Sequence, residues 1–415
     1  MTSQDYSHIP ERPELRLVEP MWVEHQGQRF LHLRDHLTLS DMTVMIPEVA
    51  APIVTLLDGT RNLPEIRSAL ALRFGLTVSD QETASMIDQL DQALMIGNGR
   101  FRGARRRAIE VYRDADQREP SHVGAVYPTS AKALEDAIER WCSNVSSRAP
   151  VDRPKGDLVG MLCPHIDYNR GHATYAELWR DIEPDLSEVE TVVVLGTDHY
   201  GGQGQLTPTV QNYSTPYGTL DTDTDVVNRL ADAIGAGAFD EELHHRKEHS
   251  IELAAVWLHH FMRRQKVSLV PVLCGSFHGY TSSDAGPDET LHISAAIEVL
   301  KEVMSDRRTL VIAAGDLAHV GPAFGDPNPL DDFEKAKIRS EDSQSISAIC
   351  AGDAGRFLEI SRSETDKRKI CGLPPIYIML RLLAGATGIH MGYDQCPADA
   401  SNGSIVSIAG ALLYR

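Results

Sequence analysis

What most limits the folds open to this 415-residue chain is a set of short apolar runs that each stop at a polar cluster. Leu158 to Leu162 leads into Cys163-Pro164-His165, and Thr191 to Leu195 into Gly196-Thr197-Asp198-His199. Val267 to Leu273 leads into Cys274-Gly275, and Thr309 to Ala314 into Gly315-Asp316. Short apolar runs bounded by Gly or Pro read as buried strands. Between them lie helical stretches. His249 to Phe261 sets Ile251, Ala254, Leu258 and Phe261 on one side, and Pro374 to Leu383 is a second. Ile405 to Leu413 reads as a closing strand. Strands alternating with helices predict an α/β domain with a largely parallel central sheet and helices on both faces.

In an open parallel sheet, ligands sit beyond the carboxyl ends of the strands. The sequence places His165, Asp167 and Tyr168 at one such end, Asp198, His199 and Tyr200 at a second, and Asp316 and His319 at a third. One histidine at a strand end is commonly a hydrogen-bonded cap. Three at the same end of separate strands would converge on one crevice, where neutral imidazoles could ligate a transition metal and carboxylates could ligate it or orient the rings. Neither GxGxxG nor GxxxxGK[ST] occurs, so a nucleotide fold has no motif support, and GxSxG is also absent.

Composition narrows the class. Lys plus Arg is 40 against 59 for Asp plus Glu, a net charge of -19, which argues against nucleic acid or an anionic membrane as partner. No apolar run approaches the roughly 18 residues of a membrane span. The first twenty residues carry no apolar signal-peptide core, which predicts a cytoplasmic protein. The cysteines Cys142, Cys163, Cys274, Cys350, Cys371 and Cys396 lie far apart with no CxxC pair, so a zinc ribbon is excluded and reduced thiols are expected.

The expected organisation is a lead-in at 1–29, a small α+β domain at 30–102 and the α/β domain at 103–415. In the small domain, Phe30 to Met45 reads as a short strand pair, and Pro47 to Leu57, Leu63 to Phe74 and Ser79 to Met95 as helices. Ser79 with Glu82 fits a capping box. Asn98-Gly99 reads as a turn opening a terminal hairpin, and the basic run at 100–107 as a solvated linker. This pattern resembles a winged helix, and the segment LLDGTRNLPEIRSALALRFG is similar to PqqD-like peptide-binding domains. Those likenesses imply an interaction domain with a peptide as one candidate partner.

Five motifs occur in order across the large domain: Pro164-His165-Ile166-Asp167-Tyr168, Leu195-Gly196-Thr197-Asp198-His199, Glu248-His249-Ser250-Ile251-Glu252, Gly315-Asp316-Leu317-Ala318-His319-Val320-Gly321 and Ile370-Cys371-Gly372. The series resembles the Memo family, including the proteins called AmmeMemoRadiSam system protein B. The resemblance implies a fold like the class III extradiol dioxygenases. It also implies His165, His199 and Cys371 as ligands of one metal ion, Fe(II) favoured, with Cu or Zn as alternatives. His319 matches an acid/base position, with Asp316 and His249 shaping the pocket. It implies a redox or dioxygenase-like enzyme acting on a small molecule or peptide, associated with a radical-SAM partner. The alternatives are a non-enzymatic metal- or peptide-binding component of such a system, and a hydrolase with Cys371 as nucleophile and His319 as base. Cys371 could also be a small buried hydrophobe.

The chain departs from the family pattern at Ile166-Asp167, where the family carries Ala-Gly, and at Asp198, where it carries Ser. Both carboxylates are expected beside the metal, as ligands or as supports for the histidines. His244-His245 reads as a solvated loop, and His259-His260 as structural residues at the negative end of a helix. Glu252 fits either a structural or a functional role.

Overall fold

The computed structural model describes residues 8–145 and 153–415. It comprises two compact units, Met1–Asp114 and Ala115–Arg415.

The first unit opens with a three-stranded antiparallel sheet, β1 (Glu19–His25), β2 (Gln28–Arg34) and β3 (Val44–Pro47), in that order. Gln26 and Gly27 turn β1 into β2 with φ of 52° and 75°, the left-handed pair that a tight hairpin requires. Helices Leu63–Phe74 and Asp80–Gln92 follow, each opened by a capping box, Asn62 with Glu65 and Ser79 with Glu82. Leu33, Ile53, Leu56, Ile66, Leu70, Ile87 and Leu90 form the core of the unit.

Three features here differ from expectation. Glu19–His25, inside the expected lead-in, is a strand; it is mostly exposed, so it lacks the alternation that marks a half-buried strand. Glu48–Leu56 is a 3-10 turn interrupted by Pro52 rather than an α-helix. Gly99–Asp114 is a helix, where a turn and a linker were expected. The Asn98 side chain accepts the Arg100 and Phe101 amides and starts that helix, and among its residues only Tyr112 is buried, so no apolar period announces it.

The second unit holds β4 (Leu158–Cys163), β5 (Thr191–Thr197), β6 (Leu206–Pro208), β7 (Tyr213–Thr215), β8 (Gly218–Leu220), β9 (Ser268–Cys274), β10 (Thr309–Ala314), β11 (His319–Val320), β12 (Thr387–Pro397) and β13 (Ile405–Tyr414). Eight of them form one mixed sheet in the order β11-β13-β4-β10-β5-β9-β6, with β12 on β13. β4, β10, β5 and β9 are parallel; β6 and β13 run antiparallel to their neighbours. The parallel centre is buried on both faces, which is why its strands are continuous apolar runs. β5 sends Val193 and Leu195 to one face and Val192 and Val194 to the other. Helices Thr224–Ile234, Leu291–Asp306, Ala354–Ser363 and Leu373–Leu382 cover the first face. Tyr168–Trp179 and Ser250–Met262 cover the second. Ala314 is level with Cys163 on one side and Gly196 on the other, so the carboxyl ends of β4, β10 and β5 finish in line.

Candidate metal centre

His165 and His199 each sit two residues past a parallel strand, and Cys371 joins them from the segment before helix Leu373–Leu382. Two glycines let that segment approach. A Cβ on Gly315 would lie 2.5 Å from Gly372 Cα, and one on Gly372 would lie 2.7 Å from Asp316 O, so only hydrogens fit where the backbones cross. The Gly372 amide donates to Asp316 O at 2.9 Å and the Thr197 hydroxyl to Cys371 O at 3.0 Å, which fixes Cys371 between β10 and β5.

The ring orientations follow from the partners. His165 Nδ1 lies 3.0 Å from Ala314 O, an acceptor only, so Nδ1 carries the proton and Nε2 presents its lone pair. That Nε2 is 3.3 Å from Cys371 Sγ. The His165 backbone amide donates to Asp316 Oδ1 at 2.8 Å. His199 Nδ1 lies 2.9 Å from Glu248 Oε2, which leaves its Nε2 to face Cys371. Glu248 Oε1 takes His249 Nδ1 at 3.0 Å and the amides of His249 and Ser250 at 2.7 and 3.0 Å. Glu248 thereby caps helix Ser250–Met262 and holds two rings with one carboxylate. The His199 and His249 rings stack at 4.8 Å between centroids, and each lies 5.1 Å from His165.

Charge follows geometry. Burial by itself would push the Cys371 thiol up, but the His165 and His319 charges and hydrogen bonds from His165 and His199 outweigh it and hold the thiol well below its ordinary range. Burial opposes a charge on His165, yet Asp316 and Cys371 carry its pKa up to about 9. Against burial, Glu248 raises His199 well above its usual value. On His249 burial prevails over Glu248 and lowers the pKa.

The remaining sequence candidates fall around this core. His319 Nδ1 lies 3.1 Å from Leu317 O and its ring meets Phe324 edge-on. Asp316 serves the His165 backbone, with Oδ2 3.8 Å from His165 Nε2. The expectation for Asp167, one of the two departing carboxylates, is corrected. Asp167 Oδ2 bonds Arg170 Nε at 2.5 Å, and Asp198 Oδ2 lies 2.8 Å from His244 Nδ1, so each is engaged by a different basic partner. Glu248 and Asp316 support the rings instead. The solvated-loop reading of His244-His245 is likewise corrected: His245 is fully buried between Tyr213 Oη (2.7 Å) and Thr207 O (2.8 Å). His259 and His260 are structural as expected, but for another reason. Burial lowers both to about 4, and Thr215 and Tyr217 hydroxyls hold them, so they carry no charge for a helix dipole to favour.

Sequence reasoning missed Arg118 and His122. Buried Arg118 pairs with Glu252 Oε2 at 2.5 Å and donates to the backbone oxygens of His245 and Glu248 at 2.8 and 3.0 Å. Glu252 also accepts the His122 amide (2.9 Å) and the Tyr127 hydroxyl (2.6 Å), which settles it as a structural anchor of the Glu248-His249 segment. The His122 ring lies 5.7 Å from that of His249. Both lie far from Glu252 in the sequence, and spacing alone does not link them to it.

A cleft of about 170 Å³ opens on these groups, lined by His199, Cys371, Phe277, Ile370, Leu373 and, paired at 3.1 Å, His278 and Asp366. Such a cleft beyond a parallel sheet, with two imidazoles and a sulfur whose donor atoms lie within 4.8 Å of one another, defines an α/β protein that could hold a metal ion. The chain belongs to the Memo family: residues 118–412 match the family described as Memo-like protein. It is 25% identical over 410 residues to a MEMO1 family protein of Aquifex aeolicus, a match covering 97% of this chain and all of the relative, the first unit included. It is 26% identical over 268 residues to a MEMO1 family protein of Methanosarcina mazei, covering 64% of this chain and 85% of the relative. It is also 26% identical over 269 residues to the protein memo-1 homolog of Caenorhabditis elegans, covering 64% of this chain and 70% of the relative. Among the described residues, no helix is long and apolar enough to cross a membrane.

Proposed function

We propose that the chain is a metal-dependent redox enzyme of dioxygenase-like type, in which His165, His199 and Cys371 hold one ion. The observation that carries this reading is the division of labour on the rings. Both imidazoles give Nδ1 to protein acceptors and turn Nε2 toward a sulfur whose proton is easily lost. Metal-binding histidines are oriented in this way by their outer partners. Two imidazoles and a thiolate suit Fe(II) first, with Cu or Zn as alternatives, and suit Mg or Ca poorly. A bound redox ion would supply electron transfer to substrate or O2.

The chain's own groups supply the rest. His249, beside the His165 and His199 rings, can accept a proton, and Glu248 stabilises the charge it then carries. His319 is a second acid/base candidate on the Asp316 side, while Asp316 positions His165. The cleft admits a small molecule or the end of a peptide. The cytoplasm as the site of action, and a radical-SAM partner with the first unit presenting a peptide, belong to this reading on sequence resemblance.

The 3.3 Å contact of Cys371 Sγ with His165 Nε2 also favours a second reading, a thiolate–imidazolium nucleophile, with His165 rather than His319 as its partner. Oxygen uptake by anaerobically Fe(II)-loaded protein, over a panel of small aromatic and peptide substrates, separates these readings from a purely binding role. The enzyme reading expects at least a tenfold loss of uptake in His249→Ala or His319→Ala with iron retained. No uptake by the iron-loaded wild type moves the assignment to a metal- or peptide-binding component. Alkylation of Cys371 in metal-free protein, with hydrolytic turnover, moves it to the nucleophile.

A further inference from the structure

Asp198 turns its carboxylate toward a second set of donors. Its Oδ2 lies 2.8 Å from His244 Nδ1, and Glu241 completes a group whose donor atoms all lie within 4.8 Å of one another. The Asp198 and His244 side chains are 1% and 9% exposed, and Glu241 is half-buried. Glu241 immediately precedes the 3-10 turn Glu242–Arg246, and three-residue spacing brings side chains such as those of Glu241 and His244 onto one side of a 3-10 turn. The Gly202 amide donates to both Glu241 carboxylate oxygens, at 3.2 and 3.1 Å. A Cβ on Gly201 would lie 2.8 Å from Asp198 Cγ, so the loop closes over the aspartate with backbone alone.

We propose that Asp198, Glu241 and His244 form a second cation site, for a divalent ion harder than the one assigned to Cys371. One imidazole and two carboxylates favour Mn(II) over ions that seek thiolate, whereas His165, His199 and Cys371 have the opposite preference. The two sites share no donor, so the second stands or falls without the first. The ion would tie the loop after β5, which also carries His199, to the turn that leads into Glu248.

Mn(II) itself is the probe. Titration of metal-free Cys371→Ala with Mn(II), followed by electron paramagnetic resonance, is expected to show about one bound ion per chain. Introduced into Cys371→Ala, Asp198→Ser and Glu241→Gln should each weaken that binding at least tenfold, and introduced singly with Cys371 intact each should retain wild-type levels of iron or copper. Circular dichroism establishes that each variant is folded, and either one suffices should the other misfold. The proposal is overturned if folded Cys371→Ala binds no Mn(II), or if it binds Mn(II) equally well with Asp198 or Glu241 replaced.

Discussion

Two sets of buried histidines lie in the same unit and differ in what surrounds them. His165 and His199 face Asp316, Cys371 and Glu248, and their pKa values rise despite burial. His245, His259 and His260 face hydroxyl and carbonyl oxygens, and burial lowers them to about 3, 4 and 4. The contrast teaches that burial alone discharges a histidine. At His165 and His199 anionic neighbours outweigh burial and aim the second nitrogen, which is what a ligand requires, whereas at His249 burial outweighs Glu248.

Arg118 ties the sets together by reaching both His245 O and Glu248 O, and removing its counter-ion should have the largest effect on stability. Glu252→Ala leaves a buried guanidinium unpaired and is expected to cost about 3–5 kcal/mol in chemical denaturation. A cost under about 1 kcal/mol would show that the anchor is dispensable. Glu248→Gln should make His199 resemble His259, lowering its pKa and weakening metal binding about 10- to 100-fold in a chelator competition. Unchanged affinity would break the comparison at its centre.

The second set predicts an acid-side pH dependence. His259 and His260 are neutral when folded but bind protons in the unfolded chain below about pH 6.5. Stability is therefore complete above that pH and falls as pH drops from about 6.5 toward about 4. His259→Gln should flatten this slope by about one proton in denaturation series across that window; an unaltered slope would mean that His259 is already charged in the fold. The smallest effect belongs to Asp167→Ala. Its partly exposed pair with Arg170 is worth about 0–1 kcal/mol, and metal affinity should stay within about twofold. A large loss of metal would return Asp167 to the site.

The parallel centre of the sheet was legible because strands buried on both faces must be apolar throughout, and its polar strand ends marked the site. β1 and helix Gly99–Asp114 were not, because elements that bury little carry little periodicity. His165, His199 and Cys371 were legible from strand ends and motifs together. The clamp by Glu248 and the anchoring by Arg118 were not, since Arg118 meets Glu248 across 130 residues of chain and only the folded path joins them. His245 misled because a His-His-Arg-Lys run looks solvated, whereas Tyr213, from a different hairpin, seals it in.

The most direct test of whether the two histidine sets differ in kind is metal content after anaerobic purification. It should be measured for the wild type, His165→Ala, His199→Ala and Cys371→Ala, with His259→Gln as the comparator. The expected result is about one iron or copper per chain in the wild type and in His259→Gln, and loss in the other three. Absence of bound metal with no uptake of Fe(II), Cu or Zn, or retention of the ion in the three variants, would contradict the assignment of His165, His199 and Cys371 as ligands.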